Sequence, residues 1–276
     1  MPFLHALVLG VVQGLTEFLP ISSSGHLLIA PWLFGWNDFD NASIEKAFDV
    51  ALHLGTLVAV VAYFRADLKV LVRDGVRAVV DRRTPPTREG RMAWLLVLAS
   101  VPAALIGAAF GDVIDEHLGK PVIIGASLIV FGLVLAWADR RLGRRGVDEI
   151  TTRDALVIGL AQAVALNPGT SRSGITMSAS RALGFDRASA ARFSFLLSIP
   201  VTAGAVAVKG LKLASDGIPD GMASAMAVGI VAAAVSGWLA VAGLLKLIRT
   251  KSFDGFVVYR VLAGAGIIIV AATGWR

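Results

Sequence analysis

The sequence predicts an all-α polytopic membrane protein: an inverted-topology repeat with two re-entrant helix–loop–helix hairpins plus about six transmembrane helices. Composition is the first reason. Apolar residues fill 56% of the 276 positions, charged ones only 17%, and the mean hydropathy is +0.73. A soluble domain of this size needs far less apolar surface, so the bilayer is the expected solvent. The second reason is length: apolar runs near or above the roughly 20 residues that cross hydrocarbon recur along the chain. The third is an internal repeat. His5–His26 (HALVLGVVQGLTEFLPISSSGH) and Asp154–Ile175 (DALVIGLAQAVALNPGTSRSGI) agree at 8 of 21 positions across residues 5–25, among them Gln13/Gln162, Ser22/Ser171, Ser24/Ser173 and Gly25/Gly174. About two matches are expected by chance from this composition.

Each repeated segment is a short apolar stretch, a Pro/Gly/Ser break and a second short apolar stretch. Neither half alone spans hydrocarbon, and such backbone survives at membrane depth only when buried in protein or lining a wet cavity. Both therefore read as re-entrant hairpins. Full spans are expected at 47–64, 93–110, 121–138, 191–209, 222–247 and 256–273. The linker Arg65–Arg91 carries eight Lys/Arg against four acids, and Asp139–Arg153 carries five Arg against three acids. With Arg249 and Lys251 after Lys246, these segments are expected on the cytoplasmic side. The acidic stretch Gly111–Gly119 and its counterpart near Asp216–Asp220 are expected outside.

Three spans lie between the hairpins, and an odd number reverses direction. The first hairpin then enters from outside and the second from the cytoplasm, which is the arrangement of an inverted repeat. Phe48-Asp49-Val50-Ala51-Leu52 and Phe193-Ser194-Phe195-Leu196-Leu197 echo each other just beyond the hairpins. The chain reads as a single integral membrane domain, 1–276, with repeat halves of about 1–138 and 150–276.

Several classes are excluded or disfavoured. The chain has no cysteine, so disulfides, zinc thiolates and a cysteine nucleophile are out. The net charge of +6 comes from basic residues gathered in short loops, and no aromatic–basic motif suggests nucleic acid. No phosphate-binding P-loop or nucleotide fingerprint occurs. The N-terminus lacks a cationic region and a small-residue cleavage site, and reads as mature protein.

The second break, Pro168-Gly169-Thr170-Ser171-Arg172-Ser173-Gly174, has the makings of an anion cradle. Pro and Gly end one half-helix, Thr170, Ser171 and Ser173 supply hydroxyls, and a new helix starts with free N–H groups aimed at the loop. Arg172 adds a planar fork suited to two phosphate oxygens; the rival reading is an arginine snorkelling at the membrane edge. The first break holds Glu17, Ser22, Ser23, Ser24 and His26, with Gln13 four residues before Glu17 on the same helix face. A carboxylate there suits a hard divalent cation, with Gln13 as a weaker ligand, or a general base. His26 or a serine could accept a phosphoryl group; His26 as a packing histidine is the plainer alternative. Asp49 and His53 share a face of the next span and either reach the same cavity or pair structurally. Gly10 and Gly14 have helix-packing spacing. The arginine pairs 140–141 and 144–145 read as topology signals at anionic lipid. Trp32, Trp36, Trp137 and Trp275 read as interface anchors.

The segments QGLTEFLPISSSGH and NPGTSRSGIT resemble the signature motifs of the undecaprenyl-pyrophosphate phosphatase family of the bacitracin-resistance type, and the likeness runs over essentially the whole chain. The resemblance implies a membrane phosphatase that converts undecaprenyl pyrophosphate to the monophosphate carrier reused in bacterial wall synthesis. By position, Glu17 matches an acidic motif residue, while Gln13 stands where many members have a first glutamate. Ser23 and His26 match the serine and histidine proposed for catalysis. Arg172 matches the arginine proposed to grip pyrophosphate. Ser171, Ser173 and Thr176 match the other polar motif positions, and Gln13, Ser22, Ser24, Gly169 and Thr170 join the expected binding set. The resemblance also implies a divalent cation, Mg2+ or Ca2+, with Glu17 as ligand. It implies the cytoplasmic (inner) membrane of a bacterium, with the site facing its outer side. His26 is expected as nucleophile or general acid, with Ser23 the competing nucleophile. A homodimer is left open. The rival function is a polyprenyl-phosphate transporter or flippase, since broken helices in inverted repeats also build transporters.

Overall fold

The computed structural model describes residues 1–39, 42–81, 87–216 and 222–275, except for side chains at 42, 43, 112, 115 and 212–216. Its helices are α1 (Phe3–Phe18), α2 (Ser23–Phe34), α3 (Ala42–Tyr63), α4 (Arg65–Val80), α5 (Arg88–Leu118), α6 (Pro121–Asp139), α7 (Thr152–Ala163), α8 (Arg172–Ala182), α9 (Arg187–Asp216), α10 (Met222–Leu247) and α11 (Asp254–Ala272). Five of them, α5, α6, α9, α10 and α11, are long and apolar enough to cross a bilayer, and α3 with α4 makes a sixth if the bent pair counts as one span.

The hairpins fall where the repeat puts them. Helix α1 stops at Phe18 ahead of Pro20, and α2 restarts at Ser23 with the Ser22 hydroxyl accepting from Gly25 N–H at 3.4 Å. Helix α7 starts from a Thr151/Asp154 capping box and ends ahead of Pro168 after one 3-10 turn. Helix α8 then starts at Arg172, with the Ser171 hydroxyl accepting from Gly174 N–H at 3.1 Å.

The helix packing has a pseudo-twofold pattern. Helix α1 packs on α10 and its counterpart α7 packs on α5, while α3 pairs with α9 and α6 with α11. Phe48 and Phe193, from the echoed sequences, are both fully buried. Gly10 and Gly14 serve packing as their spacing predicts: a Cβ on Gly10 would lie 2.6 Å from the Gly229 carbonyl oxygen. Outward-facing Leu105, Val208, Leu262 and Ile269 are exposed, as lipid-facing residues are.

Three expectations need correction. Most of the linker 65–91 is helix α4, bent 84° from α3. It carries exposed Val72, Val76, Val79 and Val80 at helical spacing beside Lys69, Arg73 and Arg77. A valine face beside a basic face is the pattern of an amphipathic interfacial helix. The spans 93–110 and 191–209 are longer than expected, since Thr87 caps α5 through Gly90 N–H and both helices run on past the hydrocarbon length. The acidic stretch 111–119 is therefore mostly the end of α5 rather than a loop, and the stretch near Asp216–Asp220 lies largely outside the described residues. Third, Arg145 is more than a topology signal. It donates to both carboxyl oxygens of Asp154 (3.2 and 2.6 Å) and to the carbonyls of Leu183 and Glu149. Nearby, Asp139 accepts a two-pronged bond from Arg187 at 2.6 and 3.0 Å and the Phe253 N–H at 3.0 Å. These contacts tie α6, α8, α9 and α11 together at the end of the bundle from which the second hairpin enters.

Candidate active site

The hairpin tips meet. The Gly169 N–H donates to the Ser22 hydroxyl at 3.1 Å, and the Ser173 hydroxyl donates to the Leu19 carbonyl at 2.9 Å. Across the same junction Arg172 Nη2 donates to Glu17 Oε1 at 2.8 Å.

The two breaks are built alike. Ser22 and Ser171 cap their helices at φ 78° and 73°, the only non-glycine positive φ values among the described residues. Each cap accepts from the glycine three residues on and has a second serine hydroxyl nearby, Ser24 at 3.4 Å and Ser173 at 3.2 Å. Such backbone costs about 1–3 kcal/mol per residue and persists only where its surroundings impose it. Its effect is to aim the N-termini of α2 and α8 at one region, which favours an anion.

Equal scaffolds carry unequal chemistry. In register, Ser23 corresponds to Arg172, and Glu17 to the apolar Leu166. Thus the first hairpin brings the carboxylate and a hydroxyl, and the second brings the cation.

Glu17 is the hub, buried at 7% exposure. Its Oε2 accepts the Ser23 hydroxyl at 2.5 Å and the Gln13 amide at 3.1 Å, and His53 Nε2 stands 3.8 Å away. His53 is thereby drawn into the site: its Nδ1 bonds the Asp49 carbonyl at 2.7 Å, and its other nitrogen faces the carboxylate. Two buried polar atoms here have no hydrogen-bond partner, Arg172 Nη1 and Gln13 Oε1. A lone buried donor and a lone buried acceptor, both beside one carboxylate, are costly unless a ligand meets them.

His26, expected as nucleophile or general acid, has both ring nitrogens engaged. Its Nδ1 bonds the Ser22 carbonyl at 2.6 Å and its Nε2 bonds the Tyr259 hydroxyl at 2.6 Å. The hydroxyl next to the carboxylate belongs to Ser23. Of the expected binding residues, several hold the loops. Thr170 accepts from Asn167 at 3.1 Å, and Thr176 bonds the Arg172 carbonyl and shares a hydrogen bond with Ser194 at 2.7 Å.

Behind both tips lies Arg260, 0% exposed. It donates to the carbonyls of Pro20 (3.1 Å) in the first break, Gly169 (3.0 Å) and Thr170 (2.9 Å) in the second, and Leu128 (3.0 Å) and Ser127 (3.4 Å) on α6. Its five hydrogen-bond partners are all neutral oxygens, so its charge adds to the positive field of the helix ends. Gly169 fits this junction through φ +91°, and a Cβ there would sit 2.6 Å from the Ile124 carbonyl oxygen. Gly169→Ala is expected to destabilise the protein by about 2 kcal/mol or more. Unfolding in detergent, followed by circular dichroism, measures this.

An apolar cavity of about 380 Å³ opens beside His26 between α2, α6 and α11. Val12, Ile29, Leu33, Leu128 and Ile267 line it, and His26 and Tyr259 give it a polar rim.

Fold and site together define an integral membrane protein in which two broken helical hairpins meet at a buried Glu17–Arg172 pair, next to an apolar cavity. Residues 6–266 match the family model described as Bacitracin resistance protein BacA, and the chain belongs to that family. It is 47% identical to an undecaprenyl-diphosphatase of Pelobacter propionicus over 99% of both chains. It is 46% identical to those of Geobacter metallireducens (96% of this chain, 97% of the relative) and Pelotomaculum thermopropionicum (99% and 98%).

Proposed function

We infer that this chain hydrolyses undecaprenyl pyrophosphate to undecaprenyl phosphate and inorganic phosphate, and so recycles the lipid carrier of wall synthesis, with Ser23 as nucleophile. Family membership and full-length relatives of that printed name support the reaction. One observation carries the choice of nucleophile: the 2.5 Å hydrogen bond from Ser23 Oγ to Glu17. A serine hydroxyl is a weak nucleophile until a neighbouring base takes its proton.

In this reading the Ser23 proton passes to Glu17 Oε2 as Oγ attacks the terminal phosphorus. An Oγ–P bond forms, the bridging P–O bond breaks, and undecaprenyl phosphate leaves. Water then cleaves the phosphoserine: its oxygen bonds phosphorus as the Oγ–P bond breaks, Glu17 returns its proton to the departing Ser23 Oγ and takes one from the water, and inorganic phosphate leaves. Arg172, through its free Nη1, and the N-termini of α2 and α8 hold the equatorial oxygens, where charge spreads in phosphoryl transfer. His26, in its protonated form, gives the Nε2 proton to the bridging oxygen of the leaving undecaprenyl phosphate and is reprotonated from solvent. The apolar cavity takes the start of the polyprenyl tail, so substrate arrives sideways from lipid.

The donors fit a magnesium-type ion in one mode. Among the described residues no three His, Asp or Glu form a cage. Such an ion commonly takes one or two carboxylates and completes its shell with water and substrate phosphates. Glu17 and the unpartnered Gln13 Oε1 suit that role, with Glu17 shared with Arg172. Bound there, the ion would neutralise phosphate oxygens. Ca2+ fits the same oxygens with looser geometry.

The basic segments at α4 and 139–153 support a cytoplasmic-membrane orientation with the first hairpin entering from outside, and family membership favours a site that opens to that side. One chain supplies both hairpins, so a homodimer is not required. A transporter needs Arg172 and the serines but no base paired with a hydroxyl, and that pairing favours the phosphatase. Purified protein in detergent should release phosphate from undecaprenyl pyrophosphate with Mg2+ present and lose most of that activity in EDTA. No release with Mg2+ present would favour transport.

A further inference from the structure

The mechanism above leaves one hydrogen bond unused, the one between His26 and Tyr259. It joins residues 233 apart in sequence, and the two rings stack with centroids 5.7 Å apart. The Ser22 carbonyl only accepts, so His26 Nδ1 carries the hydrogen in that bond. In the neutral ring Nε2 is then a lone pair, and the Tyr259 O–H donates to it. A hydroxyl can also accept from a protonated ring, so Tyr259 serves both charge states of His26.

Tyr259 is also well anchored. It precedes Arg260, whose bonds fix both hairpin tips, and it is half-exposed at the rim of the apolar cavity. Its hydroxyl and the His26 ring are polar groups among the mostly apolar residues lining that cavity. They mark the neck between a charged head and an apolar tail.

We propose that Tyr259 is a positioning residue for the hydrolysis: with the Ser22 carbonyl setting the tautomer of His26, the Tyr259 hydroxyl fixes its rotamer and holds Nε2 at the neck where the leaving lipid phosphate lies. The assignment rests on the phosphatase reading above. Packing alone would explain the ring of Tyr259 but not a 2.6 Å bond aimed at one nitrogen.

Tyr259→Phe tests this, because it keeps the ring and removes the hydroxyl. The expected result is a roughly tenfold fall in kcat for undecaprenyl pyrophosphate with KM little changed. A second readout does not need turnover. Diethyl pyrocarbonate acylates the free lone pair of a neutral imidazole, and peptide mass spectrometry separates the four histidines. Tyr259→Phe should speed modification of His26 several-fold and leave exposed His117 unchanged. If kcat and the His26 rate both match wild type, or if only KM rises, the proposal is overturned. If Ser23→Ala retains full activity while Tyr259→Phe still exposes His26, the nucleophile assignment fails and the His26–Tyr259 contact stands.

Discussion

Ser23→Ala is expected to lower phosphate release from undecaprenyl pyrophosphate by about a thousandfold or more, because it removes the atom that would form the new bond to phosphorus. Glu17→Gln should cost about 10²–10⁴, the usual range for a lost acid–base group. The two changes together should cost little more than the larger one alone, since residues that act as a unit are not additive. Lipid binding should survive Ser23→Ala, because Arg172, the helix N-termini and the apolar cavity remain. Steady-state phosphate release and a lipid-binding measurement on the same preparations separate the two effects. A Ser23→Ala variant of near wild-type activity would remove the serine from the mechanism and leave direct attack by water, with Glu17 as its base.

Arg260→Leu is expected to be the most destabilising single substitution at the site, by about 4 kcal/mol or more. The side chain satisfies carbonyls on both hairpins and on α6. Removing it strands the buried carbonyls of Pro20, Gly169 and Thr170, each at about 1–3 kcal/mol. Arg260→Lys should recover part of the loss, since an ammonium keeps the charge but cannot reach five oxygens arranged around a planar fork. Activity should fall further than stability, because the tips it holds carry Glu17 and Arg172. Detergent unfolding and activity at a temperature where the variant stays folded measure both. A loss below about 1 kcal/mol would mean that the tips hold together without it.

The hairpins were legible in the sequence because their signal is local: a Pro/Gly/Ser break inside apolar sequence, written twice. Glu17 and Arg172 were legible for a related reason, as charged groups that hydrocarbon would not tolerate without a task, whereas only the family resemblance set Ser23 apart from its neighbouring serines. Arg260 and Tyr259 escaped notice. The signal existed, since an arginine stands four residues inside the expected span 256–273. Its partners are main-chain carbonyls from three distant segments, however, and carbonyls leave no mark in a sequence. His53 could be placed on a helix face but not toward Glu17, because that depends on how α3 packs against the first hairpin. Helix α4 was hidden by its charges: counting Lys and Arg gave a loop, whereas Val72, Val76, Val79 and Val80 carry the helical spacing. His26 shows the same limit at the scale of one side chain. Sequence puts it one residue past the Ser-Ser-Ser-Gly break, and only the packing of α11 turns it toward Tyr259.

The most direct test is to mix purified protein with undecaprenyl pyrophosphate radiolabelled in the terminal phosphate, quench in acid within the first turnover, and locate the label by peptide mass spectrometry. The account predicts label on Ser23, absent from Ser23→Ala and much reduced in Glu17→Gln. Label on a histidine, or undiminished label in Ser23→Ala, would contradict it.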